Sequence, residues 1–204
     1  MLTRLAAASR VHQSIAHSDG LELISIGRGD SRYLAYLVKR YGFEAPLESA
    51  LAVTPGIAGV IELHPRRQSR MIVDDLVALG MPLARVLEIP HAHVCAFRDL
   101  RDALGWLYVS DRSAATHDVV AREVVRKMPN LAPVVRWSAA HDLLGGRDAV
   151  GRALDAVAVT SQDERRIIDA AVQAFEHQHS WLRAGGVRVL GDRNDGAPMR
   201  TLVR

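Results

Sequence analysis

The chain has 204 residues, nearly half of them apolar and few aromatic, with a formal charge of +3 and one cysteine, Cys95. That length suffices for one well-buried core, a single cysteine rules out an internal disulfide and fits a reducing compartment, and scattered charge without basic runs among aromatics argues against nucleic acid. No apolar run reaches membrane-spanning length and the first ten residues lack the apolar segment of a secretory signal, so a cytoplasmic protein with no membrane partner is expected.

Ala, Leu, Val and Arg dominate, which favours helix. In chain order, Leu2, Leu5, Ala6, Val11 and Ile15 recur near helical spacing and predict a helix over 2–17, ended by Asp19-Gly20. Gly27 to Asp30 reads as a loop, with Asp30 or Ser31 as N-cap of a helix running to about Ala52. Tyr33, Leu34, Leu37, Tyr41, Leu47 and Leu51 mark its buried side, and Gly42 with Pro46 predicts a kink near Phe43. Glu44 and Glu48 share a face at a spacing that suits a solvated surface better than a metal.

Residues 67–79 form an amphipathic pattern that Gly80 stops. A short helix is predicted over Leu83–Ile89, before Pro90, and His91 and His93 follow in a loop with no acid to complete a metal set. The longest apolar helix is predicted over 98–127. Its two ends are apolar, and its middle (Ser110, Ser113, Ala114, Ala115, Thr116, His117) is small or polar, which suits close approach by a neighbour. Gly145-Gly146 reads as a turn, 148–158 as a short helix, and Ser161 to Glu164 as a capping box opening a last helix to about Leu182. Gly185-Gly186 closes the fold and 191–204 is polar. With no sustained strand alternation, the expectation is an all-α single-domain bundle of seven or eight helices over 1–184, with 185–204 as a C-terminal tail.

The motifs of phosphate loops, serine hydrolases and zinc proteases are missing from the sequence. Glu88 to His91 has the Glu-x-x-His spacing of a di-iron site, but Pro90 inside it disfavours a helical turn. A haem site asks for less: one imidazole, an apolar slot between two helices, and cations for the propionates. His12 with Arg4 and Arg10, set against the small-residue middle of the long helix, supplies candidates for each.

Several segments, in order, resemble the bacterial haem oxygenase family, especially its phytochrome-associated type. Tyr41-Gly42-Phe43-Glu44-Ala45-Pro46-Leu47-Glu48 resembles its Y-G-F-x-A-P-L-E. Arg66-Arg67-Gln68-Ser69 through Asp75-Leu76-Val77-Ala78-Leu79-Gly80 resembles its basic stretch followed by D-L-x-x-L-G. Leu107-Tyr108-Val109 with Ser113 resembles the start of L-Y-V-L-E-G-S-T-L-G-G, and Ala174-Phe175-Glu176 to Trp181-Leu182 its final helix. The likeness spans about residues 2–183.

The resemblance implies a haem oxygenase-like helical bundle with haem between a proximal and a distal helix. It makes His12 the proximal ligand of the iron, Arg4 and Arg10 candidate haem contacts, and Ser113 the candidate catalytic position on the distal side. It also implies electrons from a ferredoxin-like or flavoprotein donor and ring opening to biliverdin, carbon monoxide and iron. The distal motif departs from the family pattern. Thr116 and His117 stand where the family has glycines, Arg112 replaces the motif's first glycine, and Asp111 its glutamate. Side chains there narrow the space beside haem, and His117 becomes a candidate second axial ligand. Two expectations follow: an active haem oxygenase, or an inactive haem oxygenase-like binding or regulatory protein with an obstructed or bis-histidine distal side.

Overall fold

A computed structural model describes residues 1–25, 29–133, 135 and 146–184; for 23–25, 29, 30, 66 and 146–148 only the backbone is described. All described secondary structure is helical, in eight α-helices with short 3-10 turns between them. The expected loop at Gly27, the Asp30 side-chain cap, the Gly145-Gly146 turn and the tail from Gly185 fall outside, or partly outside, the described residues.

The single helix expected over 2–17 is two helices. Helix α1 spans Leu2–Ala8 and α2 spans Arg10–Ser25. The break falls at Ser9, whose hydroxyl donates to the carbonyl of Leu5 at 2.7 Å, a back-bond that competes with regular helix. Asp19-Gly20 does not end α2. Asp19 is buried and accepts from His179 at 2.5 Å, with Arg183 at 3.5 Å. Gly20 is buried against Val120 and Thr116. Tertiary contacts override the local turn signal here.

Helix α3, Gly29–Ala52, runs unbroken through both Gly42 and Pro46. Proline removes the donor that would reach the carbonyl four residues back. That carbonyl belongs to Gly42, and it accepts instead from the amide of Ala92 at 2.8 Å. A loop thus satisfies what Pro46 leaves open, and the bundle keeps the helix.

Helix α4, Gln68–Ala78, ends at a turn with Gly80 at φ +90°, as the sequence predicts. Helix α5 is one turn, Leu83–Val86, shorter than expected. Helix α6, Leu100–Lys127, is capped by Asp99, whose carboxylate accepts from the amide of Arg101 at 2.8 Å. Helix α7 is Gly146–Val157 and α8 is Ser161–Arg183. The capping box of α8 sits one residue earlier than expected. The amide of Asp163 donates to Thr160 Oγ1 at 3.1 Å and the amide of Thr160 to Asp163 Oδ2 at 2.9 Å.

Helices α6 and α8 form the most extensive pairing. A Cβ at Gly105 would stand 2.7 Å from the Ile167 carbonyl and 2.9 Å from the Ala171 amide. Only hydrogen fits there, so glycine sets how closely the two helices pack. One core cluster joins the first half of α6 (Leu104, Leu107, Tyr108) to α7, α8 and the end of α3. A second joins Val120 and Val124 of α6 to the start of α3 and to α4. Helix α6 therefore runs through both.

Candidate functional site

The cleft that bears on function opens between α2 and the middle of α6, with Phe175 of α8 in its wall, and has a volume of about 360 Å³. On α2, Arg10, Gln13, Ser14 and His17 line it; the spacing i, i+3, i+4, i+7 puts them on one helix face. On α6, Arg112, Ser113, Ala115 and Thr116 line it. The two helices touch on either side of this opening. Gln13 Nε2 donates to Tyr108 Oη at 2.7 Å and to Ser9 Oγ at 2.7 Å. Further along, a Cβ on Gly20 would lie 3.4 Å from Val120 and 3.6 Å from Thr116.

The structure brings together Arg10, Ser113 and Thr116 of the sequence candidates and leaves three elsewhere. Arg4 is ion-paired with Glu164 at the surface. His12 is half-buried and stacks on Phe175, ring centroids 6.3 Å apart, without lining the cleft. His117 is buried under the rings of Tyr36 (5.6 Å) and Tyr33 (6.3 Å), with its Nδ1 3.3 Å from Tyr36 Oη. Burial pushes the phenols of both tyrosines up, that of Tyr36 to about 12. His117 thus faces the α3 side of α6, whereas the cleft lies on the α2 side. Ser113 Oγ donates to Gln178 Oε1 at 3.0 Å, so the polar groups of α6 and α8 engage each other at the cleft floor.

Sequence reasoning missed His17, Gln13, Ser14 and Arg112 as partners. The signal was the helical spacing from Arg10 to His17. It was hidden by ending the helix at Asp19, which left His17 in the last turn with no defined face.

The other candidates are accounted for in place. Glu44 is fully buried, pairs with Arg40 at 2.5 Å and accepts from Ser110 Oγ at 2.7 Å. Glu48 is no solvated carboxylate: it accepts from the amide of Ser69 at 2.8 Å and from the Ser69 hydroxyl. Burial pushes its carboxyl up to about 7. His91 packs against Tyr41, His93 Nε2 lies 3.4 Å from Cys95 Sγ, and Glu88 pairs with Arg85. Among the described residues no group of three or more His, Cys, Asp or Glu is placed to hold a metal ion.

A haem between α2 and α6 needs an imidazole, cations and an apolar slot. His17, Arg10 and Arg112 meet the first two needs. The wall meets the third only in part: Ala16, Ala115 and Phe175 are apolar, but Gln13, Ser14, Ser113 and Thr116 intersperse polar groups among them. The helices also meet at Gln13–Tyr108 and near Gly20. In this arrangement the residues do not fit a haem between the two helices.

No helix among the described residues is long and apolar enough to cross a membrane. No protein-family model, curated protein or solved structure matches the chain.

Proposed function

We propose that this chain is a haem oxygenase-like binding protein that does not open a haem ring, its α2–α6 cleft being obstructed as a haem slot and serving a smaller ligand. The observation that carries the reading is the contact of α2 with α6 on either side of a cleft whose lining mixes polar and apolar groups. The all-helical architecture agrees with the resemblance in sequence, and the altered residues of the distal motif agree with lost ring chemistry. His117, enclosed by Tyr33 and Tyr36 on the α3 side, argues against bis-histidine ligation in the cleft.

A second reading keeps haem as cofactor, held by His12 or His17 with Arg10 and Arg112 near its carboxylates, and includes ring opening with a ferredoxin-like or flavoprotein donor. The imidazole and guanidinium groups on α2 and α6 favour it, and it requires the two helices to part. Haem titration followed by absorbance decides between the readings, with wild type beside His12→Ala and His17→Ala. The expected result is no saturable Soret shift and no biliverdin on adding ascorbate. A saturable shift lost in either variant, followed by loss of the Soret band and growth of a biliverdin absorbance, overturns the proposal.

A further inference from the structure

Some arginines on the helices that border the cleft, and at its far ends, are paired with carboxylates: Arg4 with Glu164, Arg101 with Asp163, Arg166 with Asp102, Arg183 with Asp19, and Arg126 with Glu123. Arg10 and Arg112 differ. Neither has an ion pair or side-chain hydrogen bond among the described residues, and no carboxylate lines the cleft they share. Arg10 is exposed and Arg112 half-buried. The imidazole of His17 and the hydroxyls of Ser14 and Thr116 line the same cleft.

Donors and positive charge are thus gathered in one concavity with no acid to neutralise them. A guanidinium presents a planar fork of N–H donors that matches an oxyanion, and charge-assisted hydrogen bonds of this kind are the strong ones. Concave walls concentrate the field of the two cations compared with a flat surface. Ala16, Ala115 and Phe175 add apolar lining beside these groups.

We infer that the cleft between α2 and α6 binds a small oxyanion-bearing ligand, a phosphate or carboxylate group, gripped by Arg10 and Arg112 with His17 and Ser14 as further donors. This rests on the reading of the cleft as a small-ligand site. It assigns that ligand a charge and a chemical class.

The test is calorimetric titration of the full chain with inorganic phosphate and, separately, succinate, at constant ionic strength. Saturable binding of either probe, weakened about tenfold or more in Arg10→Gln/Arg112→Gln and unchanged in Arg4→Gln, is expected. Phosphate and succinate separate the two sources of the oxyanion by which binds more tightly. Amide chemical-shift changes at Ser14, His17 and Thr116 on adding phosphate to wild type give a readout that needs no variant. If neither probe binds, or if binding is the same in the double variant, the inference is overturned. Its failure is distinct from that of the functional reading, which falls on haem ring opening and not on phosphate.

Discussion

The start and the middle of α6 lie in different surroundings. At its start, Leu104, Leu107 and Val109 are wholly or almost wholly buried against α7, α8 and the end of α3, in a cluster that is almost entirely apolar. Between Ser110 and His117 the buried neighbours turn polar, before Val120 and Val124 re-enter an apolar cluster. Gln68 Nε2 donates to the Ser110 carbonyl and hydroxyl, both at 2.9 Å, and Ser110 reaches Glu44, which holds Arg40. Ser113 meets Gln178, and His117 meets Tyr36. Apolar burial is non-directional and supplies most of the stability, while a buried polar network fixes one arrangement and penalises any that leaves a partner unmet. The difference teaches that α6 is anchored at its start and oriented at its middle. The cleft opens at the oriented part.

The sharpest way to break this contrast is Glu44→Ala. It removes the carboxylate facing buried Arg40 and the acceptor of Ser110. Loss of one partner from a buried pair costs about 3–5 kcal/mol, to be read from denaturant unfolding. A cost below about 1 kcal/mol would mean the polar belt orients nothing.

In the apolar half, Gly105→Val forces α6 away from the α8 backbone. Overpacking of this kind costs about 1–3 kcal/mol, and backbone on the opposing side places it toward the upper end. An unchanged melting temperature would show that the two helices are not held at this spacing in solution.

The smallest expected effect is pH dependence at Glu48. Its carboxyl is raised from 4.5 to about 7 by burial, so the folded chain binds this proton more tightly than the unfolded chain. Stability contributed by this group is therefore highest below about pH 4.5 and is lost as pH rises to about 7, a change of about 1–2 kcal/mol for a partly buried group. Glu48→Gln should flatten stability across this window. A pH profile identical to wild type would refute the assignment.

Much of the fold was legible because helix signals are local. The periodicity of α4, the glycine that stops it and the long apolar α6 all follow from spacing along the chain. The site was legible only in part. Arg10, Ser113 and Thr116 do line one cleft, yet His12 and His117 turn to other neighbours, Phe175 and the Tyr33–Tyr36 pair. Which face of a helix meets which partner depends on rotation about its axis, and a spacing pattern leaves that open where apolar and polar residues mix, as they do on α2.

By itself the sequence determined that the chain is helical, where α4 stops and that α6 has apolar ends and a small or polar middle, because propensity, capping and hydrophobic periodicity act within a few residues. Only the tertiary structure decided that α2 continues through Asp19-Gly20, that Ala92 takes the carbonyl Pro46 leaves open, and that His17 rather than His12 faces the cleft. Each of those outcomes rests on groups far apart in the chain: Asp19 with His179, Gly42 with Ala92, and Gln13 with Tyr108. Their energies exist only once the helices have packed.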